Sequence, residues 1–502
     1  PVDHIRAFDE AMFILLCGTG VGFSVERQSI TKLPEVPNQL EYGNPPITVK
    51  DSKEGWATAL HSLISTLYSG IIPKWDLSAI RPAGARLKTF GGRASGPEPL
   101  NDLFNFVVDK FKGAAGRKLT SIECHDIMCK IGEVVVVGGV RRSAMISLSN
   151  LSDGRMAHAK SGQWWENEGQ RALANNSVAY TDKPDMEGFM REWLSLVESK
   201  SGERGIFSRT AADKHVEMNG RRETGHEWGT NPCSEIILRP YQFCNLTEVV
   251  VRQGDDLDSL TRKVRLATIL GTAQSTFTKM PYLRKIWQKN TEEERLLGVS
   301  LTGIMDNYLL SKTSDSKIWL KKMKQTAIDT NADYADRLGI PASAAITCVK
   351  PSGTVSQLVD SASGIHARHS DYYIRTVRGD KKDPLTQFMK DSGIPAEPCV
   401  MKPDSTTVFS FPTKSPSGAV TRNDMTAVEQ LELWKNYALH WCEHKPSVTI
   451  SVKEHEWLEV GAWVYEHFDY MSGVSFLPFS EHTYKQAPYQ DCDEIQYKEI
   501  LK

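Results

Sequence analysis

Short β-branched runs alternate along this chain with longer stretches in which apolar residues return every three or four positions. "GEVVVVGG" (132–139), "NSVAYT" (176–181), "AAITCVK" (344–350) and "SVTISV" (447–452) read as buried strands. "GWATALHSLISTLYSG" (55–70) and "TEEERLLGVSLTGIMDNYLLS" (291–311) read as amphipathic helices. Stretches rich in Pro and Gly at 33–48 and 82–99 predict long loops or an insertion, and "KPDSTTVFSFPTKSPSGAVT" (402–421) predicts another irregular segment. The alternation of strand and helix predicts an α/β architecture with a parallel sheet. No repeat, low-complexity tract or clear linker divides the chain, so the expectation is one large domain with an N-terminal elaboration.

Composition narrows the class. At 502 residues with 24% charged and 40% hydrophobic, the chain has the balance of an ordinary soluble globular protein. Lys and Arg (60) nearly cancel Asp and Glu (62), so the basic footprint of a nucleic-acid binder is missing. No apolar run reaches the roughly 18–20 residues of a membrane span, and no signal peptide is visible. Nine cysteines, an odd number, argue for a reducing, cytoplasmic setting and against a disulfide scaffold. The first residue is Pro1, which predicts a processed chain or a fragment.

The densest chemistry lies in "GTNPCSEIILRPYQFCNL" (229–246). Pro232 biases Asn231 toward extended geometry, and an extended Asn231–Glu235 would place Asn231, Cys233 and Glu235 on one side, successive members about 7 Å apart. Pro240 lets the chain turn and bring Cys244 back toward Cys233. Two buried structural thiols are the plainer alternative. A zinc knuckle does not fit the spacing, C-x-x-C is absent, and no metal is expected. "AAITCVKPSGTVSQLV" reads as strand, tight turn and helix; Ser352, Gly353 and Thr354 there suit either a phosphate or a simple helix cap. Cys124, His125 and Cys129 read as core residues, and Arg141 and Arg142 as a phosphate contact or a solvated strand end.

N-P-C-S-E-I followed by F-C-N-L resembles the finger loop of ribonucleotide reductases, above all the monomeric, adenosylcobalamin-dependent (class II) ribonucleoside-triphosphate reductases. The resemblance continues in family order through "GTGVGFSVER" (18–27), "LSAIRPAGARLKTFGGRASGPEPL" (77–100), "GGVRRSA" (138–144), "ANNSVA" (174–179), "VKPSGTV" (349–355) and "QAPY" (486–489). It implies a ten-stranded α/β barrel of two parallel five-stranded halves around a central finger loop. Residues 1–135 would form the N-terminal part with an effector-binding insertion. Residues 136–502 would form the barrel, the loop and the cobalamin-contacting C-terminal part.

The same resemblance implies roles. Cys233 would carry a thiyl radical that takes the 3'-hydrogen of a ribose, and Glu235 would take the 3'-hydroxyl proton as general base. Asn231 would hold the substrate hydroxyls, and Cys244 would be one of two reducing thiols that end as a disulfide. Ser352, Gly353 and Thr354, with Asn175, Asn176 and Ser177, are the implied substrate contacts. Adenosylcobalamin contacts are implied over 366–412 and 464–489, with His366, Tyr372, Tyr373 and Pro478 as candidates. No D-x-H-x-x-G occurs, so no histidine is expected to replace the cofactor's own base. Tyr372 and Tyr373 either pack on a strand or relay a radical from a second subunit. Implied partners are a ribonucleoside triphosphate, a deoxynucleotide effector bound over 3–15 and 25–135, and a thioredoxin-like or dithiol reductant, with the chain a monomer. The insertion around 36–55 is shorter than the family's, which bears on that last expectation. The family's other reducing cysteine falls before the segment matching Val2–Val21, and its C-terminal cysteine pair is not matched, so both ends stop short of the family pattern. Two rivals stand beside this reading: a class I-type large subunit served by a separate radical-generating subunit, and an inactive nucleotide- or cobalamin-binding fragment.

Overall fold

The computed structural model describes residues 1–87, 93–137, 144–480 and 484–502. Strand β1 (Val21–Ser24) follows a helix at Arg6–Leu16. The chain then departs to form a parallel pair, β2 (Glu41–Thr48) and β3 (Ile71–Asp76), joined by the helix Lys53–Tyr68. Ser52 caps that helix by accepting from the Gly55 amide at 2.9 Å. Helices Glu98–Gly113 and Ser121–Val137 lead back to β4 (Met145–Ser149), β5 (Ala174–Tyr180) and β6 (Gly205–Ser208). The order β1-β4-β5-β6 is a four-stranded, wholly parallel sheet. Burial along β4, β5 and β6 is almost continuous rather than alternating, as expected of strands covered on both faces.

A short antiparallel hairpin, β7 (Gly229–Thr230) and β8 (Ile237–Leu238), separates this sheet from a second parallel group. There β9 (Asn245–Val250) pairs with β10 (Leu297–Thr302), and the chain at 347–349 continues the group through single bridges, Thr347 to Val299 and Val349 to Pro446. Strands β11 (Tyr372–Asp380), β12 (Ala396–Pro398) and β13 (Thr406–Lys414) make an antiparallel sheet. Strands β14 (Thr449–Val452) and β15 (Ser475–Pro478) pair in parallel, and β16 (Tyr489–Asp491) joins the edge of β11. Val474, just before β15, bridges to Ile206 of β6, which is where the two parallel groups touch. The result is an α/β molecule with mixed sheets. Its strand pairing does not trace a closed ten-stranded barrel. Three apolar clusters fill the described residues, one drawn mainly from residues 2–174, one from 178–476, and a small third that joins Leu148, Ala179 and Phe207 to Trp228 and Ile237.

Three of the six predicted strands and helices stand: 176–181 falls on β5, 447–452 on β14, and 55–70 on the helix Lys53–Tyr68. The other three differ, as do two of the segments expected to be irregular. The valines of 134–137 finish the helix Ser121–Val137: Val134 and Val135 are buried in a helix that packs against Arg6–Leu16 and Glu98–Gly113, which overrides their β preference, while Val136 and Val137 are exposed at its end; Gly138 and Gly139 lie outside the described residues. The predicted helix 291–311 stops at Glu294, where Arg295 adopts φ 42°, and Leu297–Thr302 is β10, buried at every position. Periodicity cannot separate a fully apolar strand from a buried helix. Segments taken as irregular hold β2 and β13. The stretch 344–350 is extended but paired only at single residues. Arg141 and Arg142, and part of 82–99, also lie outside the described residues.

Two glycines tie this framework to the hairpin. A Cβ on Gly22 of β1 would lie 1.7 Å from the Thr230 carbonyl oxygen, and one on Gly20 would lie 2.7 Å from Pro232 Cγ. Strand β1 therefore runs directly beneath β7, at a spacing only glycine permits. Gly22→Ala should lower the unfolding free energy by about 1–3 kcal/mol, as overpacking does. Gly169→Ala, whose Cβ meets nothing within 4 Å, should stay within about 0.5 kcal/mol. Denaturant titration of the two variants checks the difference.

Candidate active site

Because β7 and β8 are antiparallel partners, the chain between Thr230 and Ile237 must reverse direction. It does so in a tight turn: the Ser234 amide donates to the Asn231 carbonyl at 2.9 Å, and Ser234 adopts φ 68°, the left-handed region. The expected extended Asn231–Glu235 strand is therefore replaced by a turn, since an alternating strand could not close the hairpin. Asn231 Oδ1 accepts from the Ile236 amide at 3.0 Å and Thr230 Oγ1 donates to the Ile236 carbonyl at 2.9 Å, which locks the reversal from inside.

A second segment holds the turn from above. Ser447 Oγ donates to the Cys233 carbonyl at 2.5 Å, and the Lys445 amide donates to the Glu235 carbonyl at 3.2 Å. His444 Nδ1 accepts from the Ile237 amide at 3.2 Å while its Nε2 faces the Leu297 carbonyl at 2.9 Å, so the ring bridges the hairpin to β10 as a neutral imidazole. Burial holds its pKa well below the usual value, in agreement with that role. At the base, Arg222 pairs in bidentate fashion with Glu294 at 2.7 and 2.8 Å and donates to the Ile237 carbonyl at 2.7 Å.

Within this frame Glu235 is buried, at 2% exposure, whereas solvent reaches Cys233. The protein still crowds the thiol: burial first, then the charge of Glu235, pushes Cys233 up to about 12, with Lys350 opposing. Burial raises Glu235 too, against the amide of Asn231 and the cations of Lys350 and Lys445. Its Oε2 is a buried oxygen with no hydrogen-bond partner among the described residues. Cys244, half-buried just before β9, is likewise raised, by burial and then by Glu235, with Arg222 opposing. Both cysteines thus remain S–H at neutral pH, beside a carboxylate with one unused acceptor oxygen.

The remaining candidates separate into those that fit one site and those that do not. On β5 the side chains of Asn175 and Ser177 alternate with that of Asn176. Asn176 Oδ1 is engaged by Ser147 Oγ at 2.7 Å and His125 Nε2 at 2.8 Å, so Asn176 serves the interior and Asn175 is the exposed member. In the Pro-Ser-Gly-Thr turn, the Ser352 amide is already bound to Ser363 Oγ at 2.9 Å and the Ser356 amide to Ser352 Oγ at 3.0 Å. The helix that follows has only four residues, Val355–Leu358. That leaves Gly353 and Thr354 as the exposed part of the turn. Cys124, His125 and Cys129 are buried on one helix, as expected of core residues.

His366 lines a cavity of about 560 Å³ together with Arg422, Gln430, Thr449 and Ser451. Its Nε2 accepts from the Thr449 amide at 3.1 Å and its Nδ1 faces the Ser363 carbonyl at 3.2 Å, so neither nitrogen is available as a metal ligand. Pro478 ends β15 opposite Val452 and is exposed. Tyr373 is buried with its hydroxyl accepting from Arg368 at 3.1 Å, and Tyr372 meets the ring of Tyr497, so the pair packs across β11. A larger cleft, about 990 Å³, lies on the β1 side of the hairpin between Gly20, Gly22, Arg209, Asn231 and Trp287; of the loop's reactive residues only Asn231 lines it.

With this geometry described, comparison with known proteins gives the class. Residues 39–110 match the model for the insertion domain of B12-dependent ribonucleotide reductase. The chain resembles a solved B12-dependent (class II) ribonucleotide reductase with a TM-score of 0.84 and 24% identity, over 99% of this chain and 77% of that one. A class Id ribonucleotide reductase alpha subunit from Actinobacillus ureae superposes less well, with a TM-score of 0.50 and 13% identity over 95% of this chain and 93% of that one. The fold is that of the solved class II ribonucleotide reductase. More particularly, the chain is a relative of the adenosylcobalamin-dependent ribonucleoside-triphosphate reductases. It is 28% identical to that of Euglena gracilis over 100% of this chain and 68% of the other, and 29% identical to that of Lacticaseibacillus paracasei over 98% and 74%.

Three groups near the loop carry no signal in the local sequence pattern. Lys350, Lys445 and Cys348 all interact electrostatically with Glu235, from positions more than a hundred residues away.

The order of the charges around Cys233 generates a test. Only the thiolate is alkylated, so Cys233, although exposed, should react with iodoacetamide more slowly at pH 8 than Cys17, the other exposed thiol. Glu235→Gln removes the negative charge that raises Cys233, so its pKa falls and alkylation at fixed pH accelerates. Peptide mass spectrometry over time at Cys233 and Cys17 reads both effects.

Proposed function

We infer that this chain reduces ribonucleotides, by preference triphosphates, to 2'-deoxyribonucleotides for DNA synthesis through a thiyl radical on Cys233. The observation that carries this reading is the loop itself: a thiol held as S–H and a buried carboxylate with an unused oxygen on one clamped hairpin, with a second thiol just before β9, in a chain of which 99% superposes on a solved class II reductase. The cofactor is adenosylcobalamin, which when bound supplies the carbon-centred radical that removes the hydrogen atom from Cys233. Arg422, Gln430, Thr449 and Ser451 line part of the cavity of about 560 Å³, among Met305, Ile365, Met425, Leu433 and Val448, and would meet one polar arm of that cofactor. His366 would serve there as a fixed wall, consistent with a cofactor that keeps its own base.

The residues then divide the chemistry. The Cys233 thiyl takes the 3'-hydrogen atom of the ribose, and Glu235 Oε2 accepts the 3'-hydroxyl proton. A base raised by burial is better matched to that proton at neutral pH than an exposed carboxylate. The 2'-hydroxyl leaves as water with a proton from the Cys244 thiol. Two electrons come from Cys244 and a second thiol, which end as a disulfide that a dithiol reductant reopens. Asn231 positions the hydroxyls, and Gly353 and Thr354, beside Lys350, receive the phosphates.

The coarser arrangement extends in the same direction. We place a deoxynucleotide effector on residues 1–135, the catalytic part on 136–502, and the two parallel groups as the halves of a barrel around the loop. The chain acts as a cytoplasmic monomer in this reading. Cys233→Ser should abolish reduction, at least a thousand-fold or about 4 kcal/mol in the barrier, while nucleotide binding is kept. Turnover with adenosylcobalamin and dithiothreitol, with no partner protein added, distinguishes this reading from a class I-type subunit.

A further inference from the structure

Behind the finger turn lies a cation that the reaction above does not use. Lys445 is 1% exposed, and its Nζ has no hydrogen-bond partner among the described residues. Desolvating an ammonium group costs several kcal/mol, so an unpaired buried lysine needs a compensating charge. The first charge that acts on it is Glu235, whose Oε2 is also buried and unpartnered; the two side chains form no ion pair within 4.0 Å. The two residues are already joined through their backbones, Lys445 amide to Glu235 carbonyl.

The position of Nζ is fixed by a glycine. A Cβ on Gly473 would lie 1.9 Å from Lys445 Nζ and 2.5 Å from Ser234 Oγ, so the ammonium and the left-handed residue of the turn share one niche that exists because residue 473 has no side chain. From the far side, a cavity of about 700 Å³ lined by Lys214, His215, Asp469 and Tyr470 reaches Lys445, giving it a face away from the substrate.

We propose that Lys445 is the buried counter-cation of Glu235, a positioning residue that faces the general base from behind the turn and fixes how readily it takes a proton. This deepens the reductase reading and rests on it for its purpose, though not for its measurement. The charged neighbourhood is consistent. Glu235 is also faced by Lys350, Cys233, Cys244 and Cys348, of which only the lysine favours its ionised form. Lys445 is faced by Cys442 and His215 besides Glu235. Burial lowers Lys445 to about 7, and Glu235 is the first group that opposes this. Burial raises Glu235 and lowers Lys445 while the charge of each opposes the other's shift, so the macroscopic titrations belong to both.

The test is a pair of titrations on the full chain without substrate. The Glu235 carboxyl is followed by 13C NMR, its resonance assigned by its loss in Glu235→Gln, and Lys445 Nζ by 15N NMR. In Lys445→Met the loss of a positive charge disfavours the carboxylate, so the Glu235 midpoint moves to higher pH. In Glu235→Gln the loss of a negative charge disfavours the ammonium, so the Lys445 midpoint moves to lower pH. Lys445→Met leaves a buried apolar stem, and if it does not fold the second arm reads the same coupling from the other partner. An unmoved midpoint in either folded variant overturns the proposal, as packing alone predicts. Neither titration needs turnover, so a wild-type chain that fails to reduce nucleotides would sink the reductase reading and leave this coupling standing. Where turnover is measured, the acid limb of kcat/KM should move to higher pH in Lys445→Met.

Discussion

A turn carried through the inside of an α/β fold must have its backbone polar groups paired without the help of bulk water, because each buried orphan costs on the order of 1–3 kcal/mol. That requirement organises this molecule. The hairpin from Gly229 to Leu238 has a two-residue ladder of its own, far too little to stand alone. Its remaining amides and carbonyls are taken by groups from elsewhere: Asn231 and Thr230 from within, His444, Lys445 and Ser447 from above, Arg222 from the base. Glycines at 20 and 22 let β1 come close enough beneath for the clamp to shut. The reactive side chains inherit their positions from these backbone contacts.

Once clamped, the loop becomes an electrostatic device. Taking Cys233, Cys244 and Glu235 away from bulk water raises all three, and each then acts on the others through a poorly screened medium. Hydrogen-atom chemistry requires this direction. A thiolate has no hydrogen atom to give up, so the shift that makes Cys233 a poor nucleophile makes it a suitable radical carrier. Most cysteine enzymes arrange the opposite, lowering the thiol beside a cation or helix start.

What could be read from the sequence was whatever depends on near neighbours. Runs such as 176–181 and 447–452 are strands because their own residues favour it, and the N-P-C-S-E-I string announces the loop. The failures share a cause in long-range packing. Val134 and Val135 end up in a helix because two other helices bury that face, and Leu297–Thr302 is a strand because β9 pairs with it along its whole length. Asn231–Glu235 looks extended until Ile237 is known to pair with Thr230, which forces a reversal. For the site, the loop residues were legible and their electrostatic partners were not. Nothing near Lys445 in the sequence indicates that its Nζ ends against Ser234, since Gly473 creates that niche from the next strand connection.

The distribution of cations around Glu235 carries the last step. Lys350 precedes the Ser352–Thr354 turn and acts on Cys233, Glu235 and Glu248, which puts it on the side where a substrate's phosphates would enter. A polyphosphate arriving there would draw on Lys350 and weaken its hold on the base. Lys445, buried and lining the cavity with His215 and Tyr470, would keep its influence whether the front is empty or filled. A base that must stay ionised until the ribose hydroxyl is in place, and then accept a proton, benefits from one cation that substrate can occupy and one that it cannot. Glu235 has both, and a single buried lysine on the substrate side could not supply the second.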